Sequence, residues 1–153
     1  MTQTAKPELS LKLATFILNT AIEKARSLEI QVNIAVVDAG TNLKGFFRMD
    51  GALLGAVDVA MKKARTACLF EMESGAVGEQ SQPGGPLYNI EHSNGGLITF
   101  PGGVPIKSRN GQVIGAIGVS GSIVENDRAV ALAGAMIDAQ ALAGTSHKGD
   151  QND

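Results

Sequence analysis

The apolar positions of this chain change period several times, and each change marks an element. Leu13, Ala14, Ile17, Leu18, Ala21, Ile22 and Ala25 recur at helical spacing, which predicts a first helix from Leu9 or Ser10 to Leu28. Val32–Val37 is an apolar, β-branched run and predicts a strand. Asp38-Ala-Gly-Thr-Asn42 has the composition of a turn, and Leu43–Arg48 predicts the returning strand of a hairpin. A second helix is expected to start at Met49-Asp50-Gly51, with Asp50 as its N-cap and Leu54, Val57, Met61, Ala64 and Cys68 as its buried stripe.

Residues 73–95 lose all periodicity and carry Pro83, Gly84, Gly85, Pro86, Gly95 and Gly96. A structureless segment of that length in a compact domain is usually functional or disordered. Three short strands are expected after it, at Leu97–Phe100, Val104–Lys107 and Val113–Val119, joined by turns at Pro101-Gly102-Gly103 and Arg109-Asn110-Gly111. A last helix is predicted from about Asn126 to Leu142, with Glu125 and Asp127 at its positive end. Hairpin connections and segregated helices place the chain in the α+β class, with a five-stranded, mainly antiparallel sheet and three helices. Ala129–Ile137 is apolar almost all round, which predicts burial on several sides and a subunit interface, hence a homo-oligomer.

Composition narrows the function classes. At 153 residues with 44% hydrophobic positions, one domain can bury a core without disulfides. The formal net charge of -2 gives no field for nucleic acid or an anionic membrane. No apolar run approaches a membrane span, and the polar stretch Met1–Glu8 lacks an export signal's apolar centre. Together with the single Cys68, these features predict a cytoplasmic protein. The domain is expected over residues 9–143, with flexible termini at 1–8 and 144–153.

Glycine placement is the most prominent chemical feature. The chain has 19 glycines, and Gly102, Gly103, Gly115, Gly118 and Gly121 flank the last strands. They fit either a close ligand approach through free backbone N–H groups or tight packing of helix on sheet. Gly115-x-x-Gly118-x-x-Gly121 has the wrong spacing for a dinucleotide fingerprint and no opening βαβ unit. Gly118-Val-Ser-Gly-Ser122 resembles a nucleophile elbow around Ser120, but the second glycine is out of register. No metal-ligand spacing is present, and His147 falls in the polar tail. Tyr88, Glu91 and His92 lie together in the irregular segment and supply a phenol, a carboxylate and an imidazole, a set able to move protons. His92 is also a candidate axial haem ligand. Arg48, beside Asp50, is a candidate fork for a ligand carboxylate, or a structural partner of Asp50 or Asp38. Asp58 and Lys62 form an ordinary i, i+4 pair, while Lys63 falls on another face, toward the sheet or an interface.

Five stretches together resemble the GlcG/HbpS family, a module also found at the C-terminal end of PduO-type proteins. They are Ile34–Gly40, Arg48–Ala52, Lys63–Ala67, Gly96–Pro105 and Gly111–Gly121, in matching order and spacing. The resemblance covers roughly residues 9–143. It implies a profilin-like three-layer α/β/α sandwich that forms homo-oligomers. It also implies a range of roles among relatives: haem binding or degradation, a place in glycolate or diol catabolism, and cofactor-free lyase activity on hydroxylaminobenzoates. The chain departs from secreted haem-binding members in having no export signal and few aromatics, five Phe and one Tyr.

Two functions are therefore expected. The first is a binding protein, accessory to a catabolic pathway, that holds haem or a small anionic ligand in a glycine-rich pocket near a subunit interface. Its contacts would be Arg48, Asp50, Lys63, Gly102, Gly103, Gly118 and Ser120. The alternative is a cofactor-free lyase acting on an aromatic carboxylate through Glu91, His92 and Tyr88.

Overall fold

A computed structural model describes residues 8–137. Helix α1 (Leu11–Ser27) starts where Ser10 Oγ accepts the Leu13 N–H at 3.0 Å, and it places Lys24 and Arg26 at its negative end. Strands β1 (Asn33–Asp38) and β2 (Leu43–Arg48) form the expected hairpin. Helix α2 (Gly55–Phe70), helix α3 (Ser74–Gln80) and a single 3-10 turn (Ile90–His92) come next. The chain then forms β3 (Gly103–Lys107), β4 (Val113–Ser120) and α4 (Val124–Ala135). The sheet runs β2-β1-β4-β3 and every pairing is antiparallel.

The two faces of the sheet carry residues of different size. Ile34 and Val36 of β1, Ile106 of β3, and Ile117 and Val119 of β4 point to one side, where they meet Leu13, Ile17 and Ala21 of α1 and Val130 and Ala131 of α4. Each fully buried Ile or Val here contributes about 1.5–3 kcal/mol relative to exposure. The alternate positions, Ala35, Val37 and Ala116, face Ala60, Ala64, Ala67 and Cys68 of α2. Small residues on this side let α2 lie close. A Cβ added to Gly118 would stand 2.0 Å from the Ala60 carbonyl oxygen. The result is an α+β fold with helices on both faces of a four-stranded antiparallel sheet.

Several sequence expectations are corrected. Among the described residues four strands form, not five: Leu97–Phe100 joins no sheet, and its polar backbone groups bond elsewhere. Thr66 Oγ1 donates to the Ile98 carbonyl at 2.9 Å, and the Leu97 N–H bonds the Glu91 carbonyl at 2.9 Å. Asp50 does not cap α2. A turn closed by Ala52 N–H to Met49 C=O at 3.0 Å, with Gly51 at φ 80°, separates Asp50 from the helix, whose N-cap is Leu54. Residues 73–95 contain α3 and the 3-10 turn instead of remaining irregular throughout. Helix α4 begins earlier than expected and ends at Ala135, where Met136 is 77% exposed. The rest of the expected helix, to Leu142, lies outside the described residues, as do His147 and almost all of both expected flexible termini. No described helix is long and apolar enough to cross a membrane.

Candidate functional site

A cleft of about 580 Å³ opens between α3, the 3-10 turn, the Thr99–Pro101 segment and the start of α4. Two glycines of α3 make it possible. A Cβ at Gly78 would fall 2.2 Å from the Thr99 carbonyl oxygen, and one at Gly75 would fall 2.9 Å from Pro101 Cγ. The Gly102-Gly103 turn behind the cleft is pinned by Ser74, whose Oγ accepts the Gly103 N–H at 2.7 Å and donates to the Phe100 carbonyl at 2.6 Å. Gly102 adopts φ 129°, a conformation that glycine alone takes without strain.

The cleft is mostly acidic, with Glu73, Glu79 and Glu91 in its wall and Arg128 at its edge. Arg128 grips Glu73 with two bonds, Nε to Oε1 at 2.7 Å and a terminal guanidinium nitrogen to Oε2 at 3.2 Å. Glu91 accepts a 2.7 Å hydrogen bond from Thr99 Oγ1. The hydroxyls of Ser81 and Thr99 hold its carboxyl below the usual value, so Glu91 is ionised near neutral pH. His92 follows Glu91 in the same 3-10 turn. Its ring and the Tyr88 phenol are exposed and make no hydrogen bond with any described residue. Phe100 adds an apolar wall and is 56% exposed.

The other expected ligand residues lie elsewhere. Lys63 is 1% exposed, and its Nζ donates to the Val119 carbonyl at 2.9 Å and to Asp127 Oδ2 at 3.1 Å. Desolvation lowers the pKa of Lys63 and raises that of Asp127, against the attraction between them. The Lys63 carbonyl fills the space beside Gly103, as the Ala60 carbonyl does beside Gly118. These glycines thus serve close packing of helix on sheet. Ser120 is buried opposite Asn33 in the β1–β4 register. Arg48 and Asp50 are exposed in a separate groove of about 570 Å³ that also holds Arg26, Phe46 and Phe47. The fold therefore brings Glu91 and His92 together and leaves Arg48 apart from them. Arg128, Glu73, Thr99 and Ser81 were not singled out from the sequence. Arg128 and Glu73 are 55 positions apart, and only tertiary structure joins them.

The chain matches the HbpS-like family of haem-degrading proteins over residues 9–136, and it belongs to that family. It is 37% identical over 130 residues to an uncharacterised 15.0 kDa protein of the dhaT-dhaS intergenic region of Citrobacter freundii, covering 80% of this chain and 91% of that protein. It is 38% identical over 112 residues to the corrinoid adenosyltransferase PduO of Salmonella typhimurium, covering 72% of this chain but 33% of PduO. It thus spans about a third of that enzyme. Among solved structures, a crystal structure of a PduOC–haem complex aligns with a TM-score of 0.79 and 34% identity, over 84% of this chain and 94% of that one.

Proposed function

We propose that this chain is a small-molecule-binding protein that holds haem, or a small anionic ligand in its place, in the cleft beside Glu91. In this reading it serves as an accessory protein of a catabolic pathway and binds near a subunit interface. The observation that carries the reading is a cleft that presents an exposed aromatic ring and a guanidinium and is walled by Glu91, the residue before the exposed His92 in one 3-10 turn. The kinship with a PduOC–haem complex supports it.

The residues present fit haem in kind. His92 offers a ring nitrogen for the iron. Phe100 and Pro101 offer an apolar face, and Arg128 offers a fork for a propionate. Glu73 and Glu79 oppose a second propionate at the same end, which favours pointing it to solvent. Bound haem would supply the iron and its visible absorbance. The chain's own part is to ligate, to shield one face and to balance charge.

The test is a haem titration followed by absorbance. Saturable binding with a sharp Soret band is expected in the wild type, with loss of that band in His92→Ala. An unchanged spectrum in the variant would refute this site.

One observation favours a second reading, the lyase: Glu91 is held ionised in a cleft large enough for a benzoate. Here Glu91, His92 and Tyr88 move protons, and Arg128, not Arg48, meets the carboxylate. Hydroxylaminobenzoate turnover should then fall about 10²–10⁴-fold in Glu91→Gln. Full activity in that variant would end this reading.

A further inference from the structure

We infer that Asn94 is a self-modification site, where the side chain is lost as ammonia and the residue becomes aspartate or isoaspartate with water as the only co-reactant. The chain has two Asn-Gly pairs, both exposed: Asn94-Gly95 in the loop after the 3-10 turn, and Asn110-Gly111 in the β3–β4 hairpin. In each, the residue after the asparagine has no side chain to block its nitrogen from reaching the asparagine Cγ. Sequence alone ranks the two pairs equally, and the structure separates them. The Gly111 N–H donates to the Ser108 carbonyl at 2.9 Å and closes the hairpin turn. The Gly95 N–H makes no hydrogen bond with any described residue. Its turn is closed one position further on, by the Gly96 N–H donating to the Ser93 carbonyl at 2.9 Å.

The reaction is intramolecular. The Gly95 nitrogen gives its proton to hydroxide and bonds to Asn94 Cγ. Ammonia leaves with a proton taken back from water, and a cyclic succinimide remains. Water then opens the ring at either carbonyl, giving aspartate or isoaspartate. No electrons change hands, and the net exchange is one water in and one ammonia out. Arg65 assists the first event. A terminal guanidinium nitrogen donates to the Asn94 carbonyl at 3.1 Å, and that oxygen carries the negative charge when the adjoining Gly95 nitrogen loses its proton. At the hairpin the Ser108 hydroxyl donates to Asn110 Oδ1, which polarises Cγ, but the Gly111 bond must still break before the ring can close. Giving up one such backbone bond slows the step by up to about tenfold. The loop concerned is the one that follows His92, and isoaspartate lengthens its backbone by a methylene inside the Ser93–Gly96 turn.

The experiment ages the folded full chain in mildly alkaline buffer and follows both sites by mass spectrometry of proteolytic peptides, with fragmentation that tells isoaspartate from aspartate. A parallel sample is aged unfolded in guanidinium. In the folded protein Asn94 should convert faster than Asn110, by up to about tenfold, and in the unfolded sample the two rates should converge. Arg65→Gln should slow conversion at Asn94 and leave Asn110 unchanged. Asn110 converting as fast as Asn94 in the folded protein overturns the inference. So does a difference between the sites that survives complete unfolding, because it would owe nothing to the fold. A folded Arg65→Gln protein with an unaltered rate at Asn94 overturns the part given to the guanidinium.

Discussion

Lys63 and Asp127 form an ion pair at 3.1 Å with side chains 1% and 2% exposed, joining α2 to the first turn of α4. Asp127 Oδ1 also accepts the Ser122 N–H at 2.9 Å, so one carboxylate serves both the pair and the helix entry. Removing one partner leaves a buried charge alone, which typically costs about 3–5 kcal/mol. Asp127→Ala should lose that much in chemical denaturation. Replacing both charges, as Lys63→Met with Asp127→Leu, removes the desolvation cost along with the attraction. The contacts to the Ser122 N–H and the Val119 carbonyl are then missing, about 1 kcal/mol each. A double variant as unstable as the sum of the singles would show that the two residues are not coupled.

The two faces of α2 make a second contrast. Gly118→Ala puts a methyl group 2.0 Å from the Ala60 carbonyl, and neither backbone can yield without moving the helix. Overpacking of this kind costs about 1–3 kcal/mol. Gly55→Ala, at the exposed start of the same helix, meets nothing within 4 Å, and Gly55 has no positive φ. It should be neutral or stabilise by up to about 1 kcal/mol. Thermal melts of the two variants should move in opposite directions, or the second should not move.

The contrast also shows which features were legible beforehand. Helix α1 announces itself through period, because its apolar residues answer to one buried face, whereas β1 and β4 do so as short apolar runs buried on both faces. The glycines of β4 were visible but ambiguous, since a ligand and an alanine-rich helix ask the same thing of a glycine. Only the α2 carbonyls beside Gly103 and Gly118 decide between them. Lys63 reads as a ligand contact facing the sheet or an interface, because its partner Asp127 is 64 positions away and spacing does not reveal it. Helix α3 hid for a related reason: Gly75 and Gly78 are poor helix formers, and they are there so that Thr99 and Pro101 can come close. Leu97–Phe100 has a strand's composition, but its polar groups bond the 3-10 turn and α2 instead of a strand. The Glu91–His92 juxtaposition was read from adjacency alone. Its hydroxyl support and Arg128 required the fold.

Cys68 is 6% exposed, and its Sγ lies 3.4 Å from the Asp38 carbonyl oxygen. Burial pushes its thiol pKa up, helped by the charges of Asp38 and Glu71, although a backbone hydrogen bond from Thr41 opposes this. The reactive thiolate is therefore scarce in the folded state. Alkylation by iodoacetamide near neutral pH should be slow in native protein and fast after unfolding in guanidinium. The sign for stability follows. The folded value lies above the unfolded one, about 8.5, so the contribution is present below that pH and lost as pH rises through the folded value. Equal labelling rates in the two states would contradict the burial.

Glu73 occupies the guanidinium that the haem reading gives to a propionate. The pair is half exposed, at 49% for Arg128 and 33% for Glu73, so it is worth at most about 1 kcal/mol to the fold. Glu73→Gln should hardly change the denaturation midpoint. It does change the cleft in two ways that favour an anionic ligand: it frees Arg128 to bond outward and removes one of the three carboxylates. Haem affinity should therefore rise a few-fold, up to about tenfold, equivalent to about 1.4 kcal/mol. The gain should shrink as salt is raised, because the charges involved are solvent-exposed. Arg128→Ala should move affinity the opposite way, again with little effect on stability. Were Glu73→Gln to bind haem no more tightly than wild type at low salt, Arg128 would not be the propionate's partner, and the ligand's anionic end would have to be sought away from this cleft.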